Sequence, residues 1–257
     1  MVRLVDTHNH LYADAFDADR HEAISRSISA GVDRILLPNI DLRSINNMHA
    51  LEDAYPDNIF SMMGLHPCDV KEDFRRDLEI MYSNFSERKY VGVGEVGMDL
   101  YWDSSTKPWQ EEALQIQIKW AEELNLPLSL HTRNATQEVI QILKPYKNKV
   151  TGVFHCFSES KELAHEIIKL GFKLGIGGVI TFKKAGIRDV IADLGIEHLV
   201  LETDSPYLAP MPYRGKRNEP SYVRLIADEI SQLTGKSIIE VAKQTTLNAE
   251  SIFGLQT

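Results

Sequence analysis

The feature that most restricts the fold is an alternation. Short apolar runs recur eight times, each followed by a stretch with helical spacing. The runs are Leu4-Val5, Arg34–Pro38, Ile59–Gly64, Tyr90–Glu95, Leu128–His131, Gly152–His155, Phe172–Ile176 and Leu199–Asp204. Between them the pattern predicts helices over Asp17–Ala30, Leu42–Ala54, much of Lys71–Arg88, Pro108–Leu124, Glu138–Leu143, Lys161–Leu170 and Arg188–Leu194. Two more follow over Ser221–Leu233 and Ile238–Ile252. Strands alternating with helices imply a parallel sheet. Eight such units in 257 residues are what a closed (β/α)8 TIM barrel of the α/β class requires. The competing arrangement is an open, doubly wound sheet. No linker, low-complexity tract or charge block divides the chain, so residues 1–257 read as one domain.

Composition narrows the setting. The chain is 43% hydrophobic and 25% charged, as expected of a soluble globular protein. No run approaches the roughly 18 apolar residues of a membrane helix, and Arg3 and Asp6 interrupt what would be the core of a signal peptide. Two cysteines, Cys68 and Cys156, do not make a disulfide framework in a chain this long, so reduced thiols and a cytoplasmic location are expected. The net charge of -9 argues against a surface that coats a polyanion. A phosphate-bearing substrate would then be held by local cations.

In a (β/α)8 barrel, chemistry sits at the C-terminal ends of the strands. His8 and His10 end the first run; in extended backbone, positions i and i+2 share a face, so both imidazoles aim at one point while Asn9 faces away. His66 follows the third run. Glu95 ends the fourth, His131 the fifth, His155 the sixth and Asp204 the eighth. Five of nine histidines thus occupy strand ends, and His21, His49, His165 and His198 read as surface or packing residues. Buried ionisable groups in such number cost several kcal/mol unless something pairs with them, and a cation provides that pairing. Imidazoles mixed with carboxylates suit divalent ions such as zinc, manganese, nickel or iron rather than calcium, with magnesium also admitted. The six residues His8, His10, Glu95, His131, His155 and Asp204 exceed what one tetrahedral ion takes. They suit two ions, with Glu95, from the middle of the set, as the bridge.

Seven segments also carry a family resemblance. They are Asp6–His10, Gly64-Leu65-His66-Pro67, Gly94–Asp99, Leu130–Arg133, His155-Cys156-Phe157-Ser158, Glu202–Leu208 and Arg217-Asn218-Glu219-Pro220. In this order they resemble the motifs of the TatD family of metal-dependent deoxyribonucleases, over essentially the whole chain. The resemblance implies an amidohydrolase-like barrel. It implies that one ion takes His8, His10, Glu95 and Asp204, and the other Glu95, His131 and His155. It further implies DNA as substrate, trimmed from a 3′ end.

Other signals have two readings each. Gly92–Gly97 matches the dinucleotide fingerprint G-x-G-x-x-G, but no helix follows at once to receive a pyrophosphate, so the match is rejected. Arg133, Arg214 and Arg217 are candidate substrate-binding residues, with Lys183, Lys184 and Lys216 nearby; the alternative is solvated loop charge. Tyr101, Trp102 and Trp109 either stack on a splayed base or cap the barrel mouth. Glu202 shares the face of Asp204 and either holds a ligand histidine by its second nitrogen or is catalytic. His66 either contacts a substrate phosphate or a leaving group. Asp6 is expected inward, below His8, and Cys156 is expected to pack.

The reading is phosphodiester hydrolysis by a monomer without an obligate protein partner, with Asp204 orienting and deprotonating a water. A second reading keeps the metals but cleaves an ester or amide such as aminoacyl-tRNA. A third is a metal-binding interaction protein without catalysis.

Overall fold

The computed structural model describes residues 3–255. Eight parallel strands lie in chain order: β1 (Leu4–Asp6), β2 (Val32–Pro38), β3 (Ile59–Met63), β4 (Gly92–Asp99), β5 (Leu128–Arg133), β6 (Gly152–Phe154), β7 (Phe172–Ile176) and β8 (Leu199–Leu201). Among the described residues nine α-helices alternate with or follow them: α1 (Arg20–Ser29), α2 (Ile45–Ala54), α3 (Phe74–Glu87), α4 (Lys107–Leu124), α5 (Thr136–Leu143), α6 (Lys161–Lys169), α7 (Ile187–Leu194), α8 (Val223–Thr234) and α9 (Ile238–Phe253). This is the (β/α)8 barrel expected from the alternation, and the open sheet is excluded. Among the described residues, no helix is long and apolar enough to cross a membrane.

The helices bury one stripe each against the strands. Ala113, Leu114, Gln117, Ile118 and Ala121 mark that stripe on α4. A second, smaller cluster lies elsewhere: Val5, Leu36, Met62, Val153 and Val200 pack with Ala249, Phe253 and Leu255 from the end of the chain. Val153 and Val200 precede His155 and Glu202 by two residues, so this cluster forms an apolar floor one layer beneath those polar side chains.

Element boundaries depart from the sequence pattern in places that matter. β4 was expected to end at Glu95, yet it continues to Asp99. Its ladder with β5 slips register between Val93 and Val96 and then resumes with Gly97 against His131 and Asp99 against Arg133. Glu95 therefore sits in an irregularity inside a strand, where a bulge re-aims a side chain. β8 was expected to reach Asp204 but stops at Leu201, and Asp204 itself takes a left-handed φ of 55° that a strand does not accommodate. The first helix starts at Arg20 rather than Asp17, and the fifth at Thr136 rather than Glu138.

The barrel closes through the irregular segments rather than through a regular ladder. Thr7 N donates to Leu201 O at 2.9 Å, Asp204 N to His8 O at 2.9 Å, and His10 N to Ser205 O at 2.8 Å. Beside this seam, Asn9 Nδ2 lies 2.8 Å from Asp6 Oδ2, 2.9 Å from Thr203 Oγ1 and 2.6 Å from Ser205 Oγ. Thr203 in turn donates its N–H and its hydroxyl to the Asp6 carboxylate. The Asp6 side chain is fully buried, accepts also from His8 N at 3.4 Å, and so braces the seam on which His8 sits. Burial pushes its carboxyl up to about 7 against the opposing hydrogen bonds from Thr203 and Asn9. Asn9→Ala removes a donor from this fully buried group and is expected to cost about 1–3 kcal/mol. Denaturant unfolding of the variant beside the wild type measures it.

Candidate metal centre

Glu95 is 2% exposed, and its two carboxylate oxygens face five imidazoles. Oε2 is 3.1 Å from His8 Nε2 and 3.5 Å from His10 Nε2. Oε1 is 2.8 Å from His131 Nδ1, 2.9 Å from His155 Nε2 and 3.3 Å from His66 Nε2. Asp204 Oδ1 lies 3.4 Å from His10 Nε2 and 3.8 Å from His8 Nε2. The left-handed backbone at Asp204 swings this carboxylate toward the barrel mouth. All six predicted ligands are therefore brought together, from β4, β5 and the segments that follow β1, β6 and β8.

The outer nitrogens of the histidines explain how the inner ones are aimed. His8 Nδ1 lies 3.1 Å from Ser129 Oγ. His10 Nδ1 lies 2.7 Å from Tyr12 Oη, whose own proton goes to Pro38 O at 2.5 Å. The tyrosine oxygen must then accept from the imidazole, which puts the ring proton on Nδ1 and a lone pair on Nε2. His131 Nε2 lies 3.0 Å from Asp99 Oδ2, which fixes its proton outward and its Nδ1 lone pair inward. His155 Nδ1 faces Glu202 Oε1 at 3.6 Å, just beyond hydrogen-bond length, and that oxygen also accepts from Cys156 N. A partner on the outer nitrogen is how metal-binding histidines are held.

His66 is built the opposite way. Its Nδ1 accepts from Cys68 N at 3.1 Å, so its proton sits on Nε2, which points at Glu95. It presents a donor where His10 and His131 present lone pairs. His66, Glu95 and His131 also converge closely enough to form a cation site, as do His8, His10 and Glu95, and His8, His155 and Glu202.

The electrostatics are those of a site short of positive charge at its centre. Burial works to raise the Glu95 carboxyl, but His66, His155 and His8 overcome it and hold it well below the usual range. Burial works to lower His155, yet Glu95 and Glu202 hold it well above the ordinary imidazole value. His8 is lowered by burial and by His155. Glu202 Oε2 and His155 Nδ1 are buried without a hydrogen-bond partner. Converging nitrogen lone pairs around a buried, ionised carboxylate fit divalent cations, which compete with protons for the same nitrogens.

The predicted substrate-binding residues lie around the mouth and are not equivalent. The Arg133 guanidinium stacks over Tyr101, with Cζ 3.8 Å from the ring centroid, and Arg214 lies 4.6 Å over Phe182. Arg217 is engaged otherwise: it pairs with both Asp19 oxygens at 2.5 and 2.8 Å and covers Phe16. Sequence reasoning assigned no role to Asp99, Tyr12 or Ser129. Asp99 was within reach only as the last residue of the Gly94–Asp99 segment, since the strand was expected to end at Glu95. Tyr12 and Ser129 carry no signal in sequence, because their partners lie far along the chain.

A family model described as "TatD related DNase" matches residues 5–254. The chain belongs to the TatD family, a family of metal-dependent hydrolases. The "Uncharacterized metal-dependent hydrolase YabD" of Bacillus subtilis is 40% identical over 252 residues, covering 97% of this chain and 98% of that protein. The "3'-5' ssDNA/RNA exonuclease TatD" of Escherichia fergusonii is 31% identical over 252 residues, covering 95% and 96%. The crystal structure of the TatD homolog YjjV from Escherichia coli K12 superposes with a TM-score of 0.92 at 30% identity, covering 98% of each chain. The TatD barrel seen here leaves no room beside Glu202: a methyl group at Gly175 would overlap its carboxylate. Gly175→Ala is expected to displace Glu202 from Cys156 N and His155 and to weaken zinc or manganese binding about 10- to 100-fold. Titration calorimetry on the metal-stripped protein measures this.

Proposed function

We propose that this TatD-family hydrolase cleaves phosphodiester bonds of single-stranded DNA from the 3′ end, using two divalent cations. The observation that carries the reading is Glu95, shared by the His8–His10 and the His131–His155 sides of the site. In this reading His8, His10, Glu95 and Asp204 hold one cation, and Glu95, His131 and His155 the other. Cations held there supply charge that polarises a phosphate oxygen and lowers the pKa of a water near neutral pH. The exonuclease name of the Escherichia fergusonii relative supports the nucleic-acid substrate. The reduced thiols Cys68 and Cys156 support a cytoplasmic setting.

The chain's own groups have distinct tasks. Burial raises the Asp204 carboxyl, but His10, His155 and His8 bring it below its ordinary value, so it is ionised at neutral pH and accepts the proton of the attacking water at Oδ1. His66 Nε2–H is the donor aimed into the site from the β3 side and serves the leaving oxygen. Glu202 keeps the His155 ring oriented. Arg133 and Arg214 are stacked cations at the mouth and meet the sugar–phosphate backbone.

Hydrolysis of a 5′-labelled single strand, with and without chelator, tests the proposal. Stepwise shortening that stops with chelator, returns with zinc, manganese or magnesium, and vanishes in Glu95→Ala is expected. Asp204→Asn is expected to lower kcat by about 10²–10⁴-fold. Full activity in Glu95→Ala, or turnover confined to aminoacyl esters, contradicts it.

A further inference from the structure

Trp102 is 70% exposed and Tyr101 is 53% exposed, the former unusually so for the largest aromatic side chain. The two rings meet edge to face with centroids 4.9 Å apart. The Arg133 guanidinium completes the group, 3.8 Å from the Tyr101 centroid and 5.2 Å from that of Trp102. Hydrogen bonds hold the backbone that carries the rings. Asp99 Oδ1 accepts from Tyr101 N at 2.9 Å and from Trp102 N at 3.4 Å, while Leu100 N donates to Arg133 O at 2.9 Å. The other Asp99 oxygen holds His131 Nε2. One buried carboxylate therefore ties an exposed aromatic pair to a histidine of the metal centre.

We propose that Trp102, braced by Tyr101 and Arg133, forms a shelf on which one nucleobase of the substrate strand stacks, next to the bond that is cut. The inference rests on the phosphodiesterase reading and names the subsite that reading leaves open. Three features point to a nucleotide. The flat, exposed ring of Trp102 accepts any base by its π-face. Arg133 adds a cation with no ion-pair partner among the described residues, on a chain whose net charge is -9, so the shelf attracts a phosphate that most of the surface repels. Arg133 also lies two strand residues, about 7 Å, beyond His131, which is the scale of one sugar between a phosphate at the centre and its base. Asp99 acts here as a positioning residue, through His131 on one side and the shelf on the other.

The test compares a single-stranded oligodeoxynucleotide with one carrying an abasic site at its 3′-terminal nucleotide. A second abasic substrate places the gap at the penultimate position. The wild type is expected to prefer the base-bearing strand to one of the two abasic strands by about tenfold in kcat/KM, with the difference mostly in KM. Trp102→Ala is expected to erase that preference. Trp109→Phe, which alters a ring on α4 outside the shelf, is expected to retain it. A wild type that cuts all three strands equally overturns the shelf while leaving the phosphodiesterase reading intact, and no cleavage of any strand removes the reading itself. A preference of the same size in Trp102→Ala also overturns the shelf. So does a wild type that sediments as a dimer and dissociates in Trp102→Ala, because the rings would then serve self-association.

Discussion

The structure turns on one buried carboxylate. Glu95 is withdrawn from water and surrounded by imidazole nitrogens at 2.8–3.5 Å. Burying an ionised carboxylate costs several kcal/mol unless positive charge meets it. Protons on His155 and His131, both held above the ordinary imidazole value against their burial, meet part of that need. Divalent cations at the same nitrogens would meet it better, and the outer partners Ser129, Tyr12 and Asp99 hold the rings of His8, His10 and His131 in the orientation that cations require. Stability and chemistry are therefore set against each other in the same few residues.

Two irregularities of the barrel make this arrangement possible. The slip between Val93 and Val96 lets β4 both deliver Glu95 inward and run on to Asp99. The seam between residues 7–10 and 201–205 is stitched by single hydrogen bonds and by the Asp6–Asn9–Thr203–Ser205 network rather than by a ladder. Both ends of that seam carry site residues: His8 and His10 on one side, Glu202 and Asp204 on the other. Closing the barrel and assembling one half of the centre are the same event.

Much of this was legible in the chain, for reasons that differ by residue. Eight apolar runs with helical stretches between them define the barrel, since burial on both faces of a parallel strand leaves a mark in composition. His131 and His155 follow those runs directly, so strand ends located them. His8, His10 and Asp204 were found although the backbone there is not regular strand, because two residues of near-extended chain or one left-handed turn still return the side chain to the mouth. The failures are equally physical. The partners of Asp6, Thr203 above all, lie some 200 positions away and carry no signal in the sequence. Asn9 faces away from the metal residues as expected, but its place on the seam could not be read, because Thr203 and Ser205 lie far along the chain. Arg217 was grouped with the mouth cations, but Asp19, some 200 positions earlier, claims its guanidinium. Long-range partners leave no periodic trace.

The central claim is that one carboxylate serves two cations. Elemental analysis of purified protein, together with His8→Ala and Glu95→Ala, measures this directly. Two divalent ions per chain in the wild type, one in His8→Ala and none in Glu95→Ala is the predicted result. Two ions retained in Glu95→Ala would contradict it.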